Sequence, residues 1–244
     1  MASPPFPFPC PLPAEAIRAG REEVLLQVLE RFPPLLAAPP PRVPAASLPF
    51  MLAAYDRRFF AGFLSRHGDC LSIAASTRMT RAAGACGIRK APRSAARVEV
   101  RMGVDFLLRL GEGPFVANGL RFDTALEAFL SVLEHELCHA ADYLLRGKLD
   151  RHGPHFRALS QGLFGHRRCT HELPTRAQEA AARGMGVGCW VRFPYQDQML
   201  RGRVTRVGKT ASVMVPSPGG AYRDAKGTRY AKYTAPLSLL HPDQ

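Results

Sequence analysis

The chain has 244 residues, 46% hydrophobic and 22% charged, enough apolar material for one good core or two small ones, which excludes wholesale disorder. No apolar run approaches the roughly 20 residues that span a bilayer, and the opening MASPPFPFPCPL lacks a basic n-region and is broken by prolines, so it fails as a signal peptide. Lysine and arginine number 33 against 20 acidic residues, a net charge of +13 that exceeds what solubility requires and points toward a polyanionic partner.

These features lead us to expect a soluble, cytoplasmic protein with no membrane partner; a nucleoid or nuclear location would depend on the source. Residues 151–244 hold 15 basic against 5 acidic residues and so carry +10 of the excess. A basic proteome or an arginine-favouring genome is the plain alternative to a polyanion. Six cysteines, Cys10, Cys70, Cys86, Cys138, Cys169 and Cys189, lie far apart with no CxxC, which fits neither a disulfide framework nor a zinc ribbon and predicts reduced thiols.

Residues 1–46 are proline-rich around one predicted helix, about Ala14 to Arg31, with Ile17, Val24, Leu25, Val28 and Leu29 on an apolar face that must dock on something. The first domain is expected over 47–169. It opens on Leu48 to Leu64, where Phe50, Leu52, Ala53, Phe59, Phe60 and Phe63 read as a largely buried helix ending near Gly62 or Gly68. Cys70 to Ala75 and Arg97 to Met102 read as strands, the second with Val98, Val100 and Met102 on one side, and Gly84 and the 90–94 segment read as turns between them.

The strongest helix signal follows. Thr124 and Glu127 form a capping box, Leu126, Leu130, Leu133, Leu137 and Leu144 make a stripe, and Gly147 closes it. Pro154 then starts a second helix through Phe156, Leu159 and Leu163 to Gly165. The stretch 170–186 reads as a linker with a short helix. Over 187–244, Trp190 to Phe193, Leu200 to Val207, Ala211 to Val215 and Tyr230 to Tyr233 are of strand length between turn residues, which suggests a small SH3-like barrel. The fold class is therefore α+β followed by a small all-β domain.

Residues 135–139 read His-Glu-Leu-Cys-His. On a helix the i, i+4 spacing stacks His135 and His139 on one face, so both imidazoles reach one metal at about 2 Å. Glu136 stands one residue round, outside the ligand set but close enough to take a proton from water as general base. A third ligand is required. Continuation as HxxGxxH fails, because Asp142 and Leu145 occupy the glycine and histidine positions, and Glu172 and Glu179 lie beyond a break. His152 fits better, since the helix can stop at Gly147 and the chain can return His152 to the metal before Gly153 and Pro154 open the next helix. A polar helix face is the plain alternative for the motif, and a turn histidine for His152. His155 and His166 read as surface or capping residues, Cys138 as a buried inert thiol, and Tyr143 as core, with stabilisation of an oxyanion at the cleft as its alternative.

Four motifs in order resemble the SprT-like metalloproteases, the Spartan branch more than the bacterial SprT branch: Tyr55-Asp-Arg-Arg-Phe-Phe-Ala-Gly-Phe-Leu64, Ser76-Thr-Arg-Met-Thr-Arg-Ala-Ala-Gly-Ala-Cys86, His135-Glu-Leu-Cys-His139 and His152-Gly-Pro-His-Phe156. The resemblance covers about Leu48 to His166. It implies a zincin-type fold with zinc on His135, His139 and His152, Glu136 as the catalytic residue, and protein substrates; Spartan-like proteases degrade proteins trapped on DNA and are stimulated by DNA. Two departures stand out: no four-cysteine ribbon follows, and the segment including Gly111 to Asn118 is longer than the family pattern and suggests a flap beside the cleft.

The C-terminal stretch resembles KOW or SH3-like modules through Gly202-Arg-Val204, Val207 and Leu237 to Leu240. Arg201, Arg203, Arg206, Lys209, Arg229 and Lys232, interleaved with Tyr222, Tyr230 and Tyr233, suit contact with DNA or RNA phosphates and stacking on bases; a solvated basic surface is the plain alternative. Two functions follow: a zinc endopeptidase acting on DNA-bound proteins, or a nucleic-acid-binding adaptor whose zinc is mainly structural.

Overall fold

The structure is a computed structural model and describes residues 6–79, 82–89, 96–110, 112–148, 150–170 and 173–243. The chain divides into two compact units, Met1–Leu173 and Pro174–Gln244. Each has its own hydrophobic core.

The first unit begins with α1 (Ala14–Arg31), which buries Ile17, Val24 and Val28, and α2 (Ser47–Phe59). α2 closes near Gly62, the first of the two expected ends, where Ala61 (φ 50°) and Gly62 (φ 73°) take left-handed conformations. The fully buried Asp56 carboxylate fixes that turn by accepting the Leu64 and Ser65 N–H groups at 2.8 Å each.

Three strands follow, β1 (Leu71–Ser76), β2 (Gly84–Arg89) and β3 (Arg97–Gly103), in the order β1-β3-β2. β3 runs parallel to β1 and antiparallel to β2. Val98, Val100 and Met102 are fully buried, as the alternation requires. Gly84, expected in a turn, is the first residue of the edge strand β2; the predicted turn at 90–94 lies outside the described residues.

A short α3 (Val104–Leu107) leads to the hairpin β4 (Glu112–Ala117) and β5 (Leu120–Thr124). The hairpin accounts for the segment expected to form a flap, and it is pinned along the first half of the next helix. Asn118 donates to the Ser131 carbonyl (2.7 Å) and hydroxyl (3.0 Å), and its own carbonyl accepts the Arg167 and Arg168 N–H groups at 2.9 and 3.0 Å.

That helix, α4 (Ala125–Arg146), carries both bonds of the Thr124–Glu127 capping box and ends on Gly147 at φ 70°. Being the central element, it is buried nearly all round, with Ala128, Val132, Leu133, Leu137, Ala140 and Ala141 inaccessible. α5 (Pro154–Phe164) packs on it and ends at Gly165, φ 62°. The inaccessible Glu134 ties four parts of the unit together: it accepts both Arg21 nitrogens from α1 (2.8 and 2.7 Å), the Tyr55 hydroxyl from α2 (3.1 Å), and faces His166 Nε2 (3.0 Å) beyond α5.

The second unit starts with α6 (Arg176–Ala182), capped by Thr175 and Gln178. Ala180 and Met185 belong to its core, so the helix in the expected linker stretch is part of this unit. β6 (Trp190–Tyr195), β7 (Gln198–Val207), β8 (Thr210–Pro216), β9 (Tyr222–Arg223), β10 (Arg229–Pro236) and β11 (His241–Pro242) form one sheet in the order β11-β6-β7-β8-β10-β9. The expected barrel does not close. Its two edges, β9 and β11, are two residues long, too short to complete a hydrogen-bonded seam, and Pro242 offers no N–H.

Candidate metal centre

The two turns of α4 that carry His135 and His139 place both rings on one face, and the chain reversal at Gly147 brings His152 back to them. The three ligand-capable nitrogens lie within 4.8 Å of one another. His135 Nε2 stands 3.1 Å from His152 Nε2 and 3.2 Å from His139 Nε2. Ligand nitrogens of a tetrahedral site with 2.0–2.1 Å bonds stand roughly 3.3 Å apart, and three neutral imidazoles are a donor set that suits zinc. The donor set therefore fits a metal ion.

The site is held from below by Phe156, which is inaccessible. Its ring stacks on His139 (centroids 4.1 Å, 24°), meets His135 edge to face at 4.9 Å and lies tilted against His152 at 5.1 Å. Burial, followed by the charges of Arg157 and Arg151, lowers the His152 pKa below the ordinary 6.5, favouring the neutral ring that binds metal.

Glu136 is 4% exposed and lies against β2. A Cβ on Gly84 would stand 2.7 Å from its Cγ and 2.8 Å from its Oε1. Burial pushes its carboxyl up to about 8, opposed by a hydrogen bond from the Cys86 N–H; a nearby cation acts in the same direction as that bond. Cys138 is inaccessible and belongs to the core, where burial raises its thiol far above the ordinary value. Tyr143 is half-buried against the same core. Arg78, in the second motif, is exposed.

His155 is not one of the converging histidines. Its Nδ1 bonds Asp142, a residue fully buried two helical turns beyond His135 on the same stripe of α4. Neither Asp142 nor His155 was singled out by the sequence as part of the site, although Asp142 stands seven residues after His135, a spacing that signals a shared face.

In the second unit the basic residues fall into three places. Arg203 and Lys232 flank Met214 in register across β7, β8 and β10 and share the solvent face. Arg201, one pair along, is bonded to Asp243 and lies over Trp190 at 4.5 Å, and Arg206 faces Ser212 past a bulge. Lys209 is in the β7–β8 turn and Arg229 pairs with Arg223 at the far edge. Tyr222 is exposed, Tyr230 donates to Asp224 at 3.1 Å, and Tyr233 packs between Phe193 of the second core and the exposed Tyr195.

Three imidazoles converge in this α+β unit, two from its central helix and one from the turn after it, in an arrangement compatible with a metal ion. The chain belongs to the SprT-like family, which it matches over residues 48–174. The family is typically one of zinc metallopeptidases, and membership suggests a metalloprotease-like function. α1 precedes the matched span and the β-sheet unit follows it. No curated protein matches the chain. No helix among the described residues is long and apolar enough to cross a membrane.

Proposed function

We propose that the chain is a zinc-dependent endopeptidase of the Spartan branch that cleaves proteins bound or crosslinked to DNA. The observation that carries the peptidase reading is the convergence of His135, His139 and His152 beside Glu136. Those three imidazoles would hold the ion, which when bound would supply Lewis acidity to a carbonyl and to water. Glu136 takes the proton of the attacking water and returns it to the leaving amine. Its buried setting suits both steps, because a carboxyl raised toward neutral pH is both an adequate base and an adequate acid. β2 is an edge strand beside Glu136, so a substrate backbone can add to the sheet there and lie across the carboxylate.

Glu136→Gln is expected to retain zinc, measured by metal analysis after dialysis, and to lose turnover by at least about a hundredfold, the usual worth of a general base. Undiminished proteolysis would remove the mechanism. The substrate reading is tested with a protein crosslinked to a DNA oligonucleotide, beside the same protein without DNA; cleavage that requires both DNA and Glu136 supports it.

The basic face of the second unit, with Arg203 and Lys232 in register, favours a second reading: a nucleic-acid-binding adaptor, with contacts of the KOW type and a mainly structural zinc. That reading predicts steeply salt-dependent DNA or RNA affinity and no cleavage of any protein, crosslinked or free.

A further inference from the structure

Two of the three converging histidines come from the rigid stretch of α4. His152 comes from the connection to α5, between Asp150 and Gly153, so its position depends on what holds that connection. The structure places an ionic assembly there. Asp142, with no accessible side-chain surface, accepts a bidentate grip from Arg146, one bond being Nε to Oδ1 at 2.7 Å. The same Asp142 oxygen bonds Nδ1 of His155, one residue into α5 from Pro154. Arg146 also reaches the Asp150 carboxylate at 3.5 Å. Asp150 in turn lies directly under Gly153, its Oδ2 2.7 Å from where a Cβ would stand, and its carbonyl accepts the Gly153 N–H at 3.0 Å. The edge of the Phe6 ring packs on His155 with centroids 5.1 Å apart.

We propose that Asp142 is a positioning residue that preforms the metal site. Through His155 it fixes the start of α5, and through Arg146 and Asp150 it fixes the residues on either side of His152. The third imidazole therefore stands in place before a metal arrives. Without this latch, metal binding must order His152 and its neighbours at the moment of association, and the entropy of that ordering is subtracted from affinity. The inference rests on the metal reading of the three histidines, and it concerns their preorganisation rather than the chemistry of Glu136.

The test is a cobalt(II) titration of the full chain, followed by visible absorption in competition with a chromophoric chelator. The variants are Asp142→Asn, His155→Ala and His155→Asn, with far-UV circular dichroism to verify the fold. Asparagine at 155 can present its Nδ2 where the histidine Nδ1 donates, so it serves as the conservative rescue. We expect Asp142→Asn and His155→Ala to bind cobalt about tenfold to a hundredfold more weakly, the scale seen when a support of a metal ligand is removed. His155→Asn is expected to stay within about threefold of the parent. A folded His155→Ala chain that binds as tightly as the parent overturns the inference, as does equal weakening by alanine and asparagine at 155. If Asp142→Asn does not fold, the two variants at 155 decide the matter alone. A parent chain that binds no cobalt overturns the metal reading itself, and the inference with it.

Discussion

Gly84 lies where any side chain would collide with Glu136, the proposed general base. A methyl group there would stand 2.7 Å from Glu136 Cγ and 2.8 Å from Val132 Cγ1, both on the inflexible central helix, so the free end of Glu136 must give way. Gly84→Ala is therefore expected to keep its metal affinity, because the atoms nearest a side chain there belong to Glu136 and Val132 rather than to the three histidines, while kcat falls by at least about tenfold as the carboxylate leaves its place against β2. Steady-state kinetics beside a cobalt titration separates the two, and an unchanged kcat would show that Glu136 needs no such fit. In the sequence Gly84 reads as a turn glycine, because nothing local distinguishes a glycine needed for φ from one needed for close approach. The approach of His135 to His139 was legible since it rests on helical period alone. Phe156, which underlies all three imidazoles, reads from the sequence as one more core position of α5, and only the packing of α5 on α4 gives it a place in the site.

Elements with local signals were read correctly: α1 over Ala14–Arg31, α4 through its capping box and its closing glycine, and β3 through its alternation. Those decided by distant partners were not. β2 pairs along β3, a partner that no local pattern announces, and although Gly62 marks where α2 closes, the buried Asp56 that holds the turn carries no signal of that role. Nor did the sequence say where α1 docks: its apolar face enters the first core, and Arg21 adds an ion pair with Glu134. Burial alone would raise the Glu134 carboxyl, but the Arg21 guanidinium, with hydrogen bonds from Arg21 and His166, brings it below its ordinary value. Removing Arg21 leaves an inaccessible carboxylate without its cation, a loss on the order of 3–5 kcal/mol. Arg21→Ala is accordingly expected to lower the denaturant midpoint sharply. Adding Glu134→Gln should restore part of the loss, because the stranded charge is gone. Denaturation of the two single variants and the double variant forms the cycle; strict additivity would show that the pair does not act as a unit.

At the scale of the molecule, the +13 net charge is the feature that the metal site leaves unexplained, and the second unit, with its own core, is where an explanation can be tested separately. Not all of its cations are equal. Arg201 is already bonded to Asp243, as is Arg192 at 2.9 Å, so a phosphate must compete with a carboxylate for them. Arg203 and Lys232 share a solvent-facing row across Met214, and the Arg203 side chain is held there by its Nε bond to the Gly188 carbonyl at 2.9 Å. If this face tracks a phosphate backbone, each phosphate contact contributes roughly 0.7 to 0.9 to the slope of log affinity against log salt. Arg203→Ala with Lys232→Ala is then expected to reduce that slope by about 1.4 to 1.8, while Arg201→Ala changes it by less than either single substitution in the row. Fluorescence anisotropy of a labelled oligonucleotide over a salt series measures all of these, and chelation of the metal should leave the slopes untouched because the histidines belong to the other core. Equal, small changes at all three positions would mean that the charge is a solvated face, and the DNA-bound substrate proposed for the peptidase would then need another means of capture.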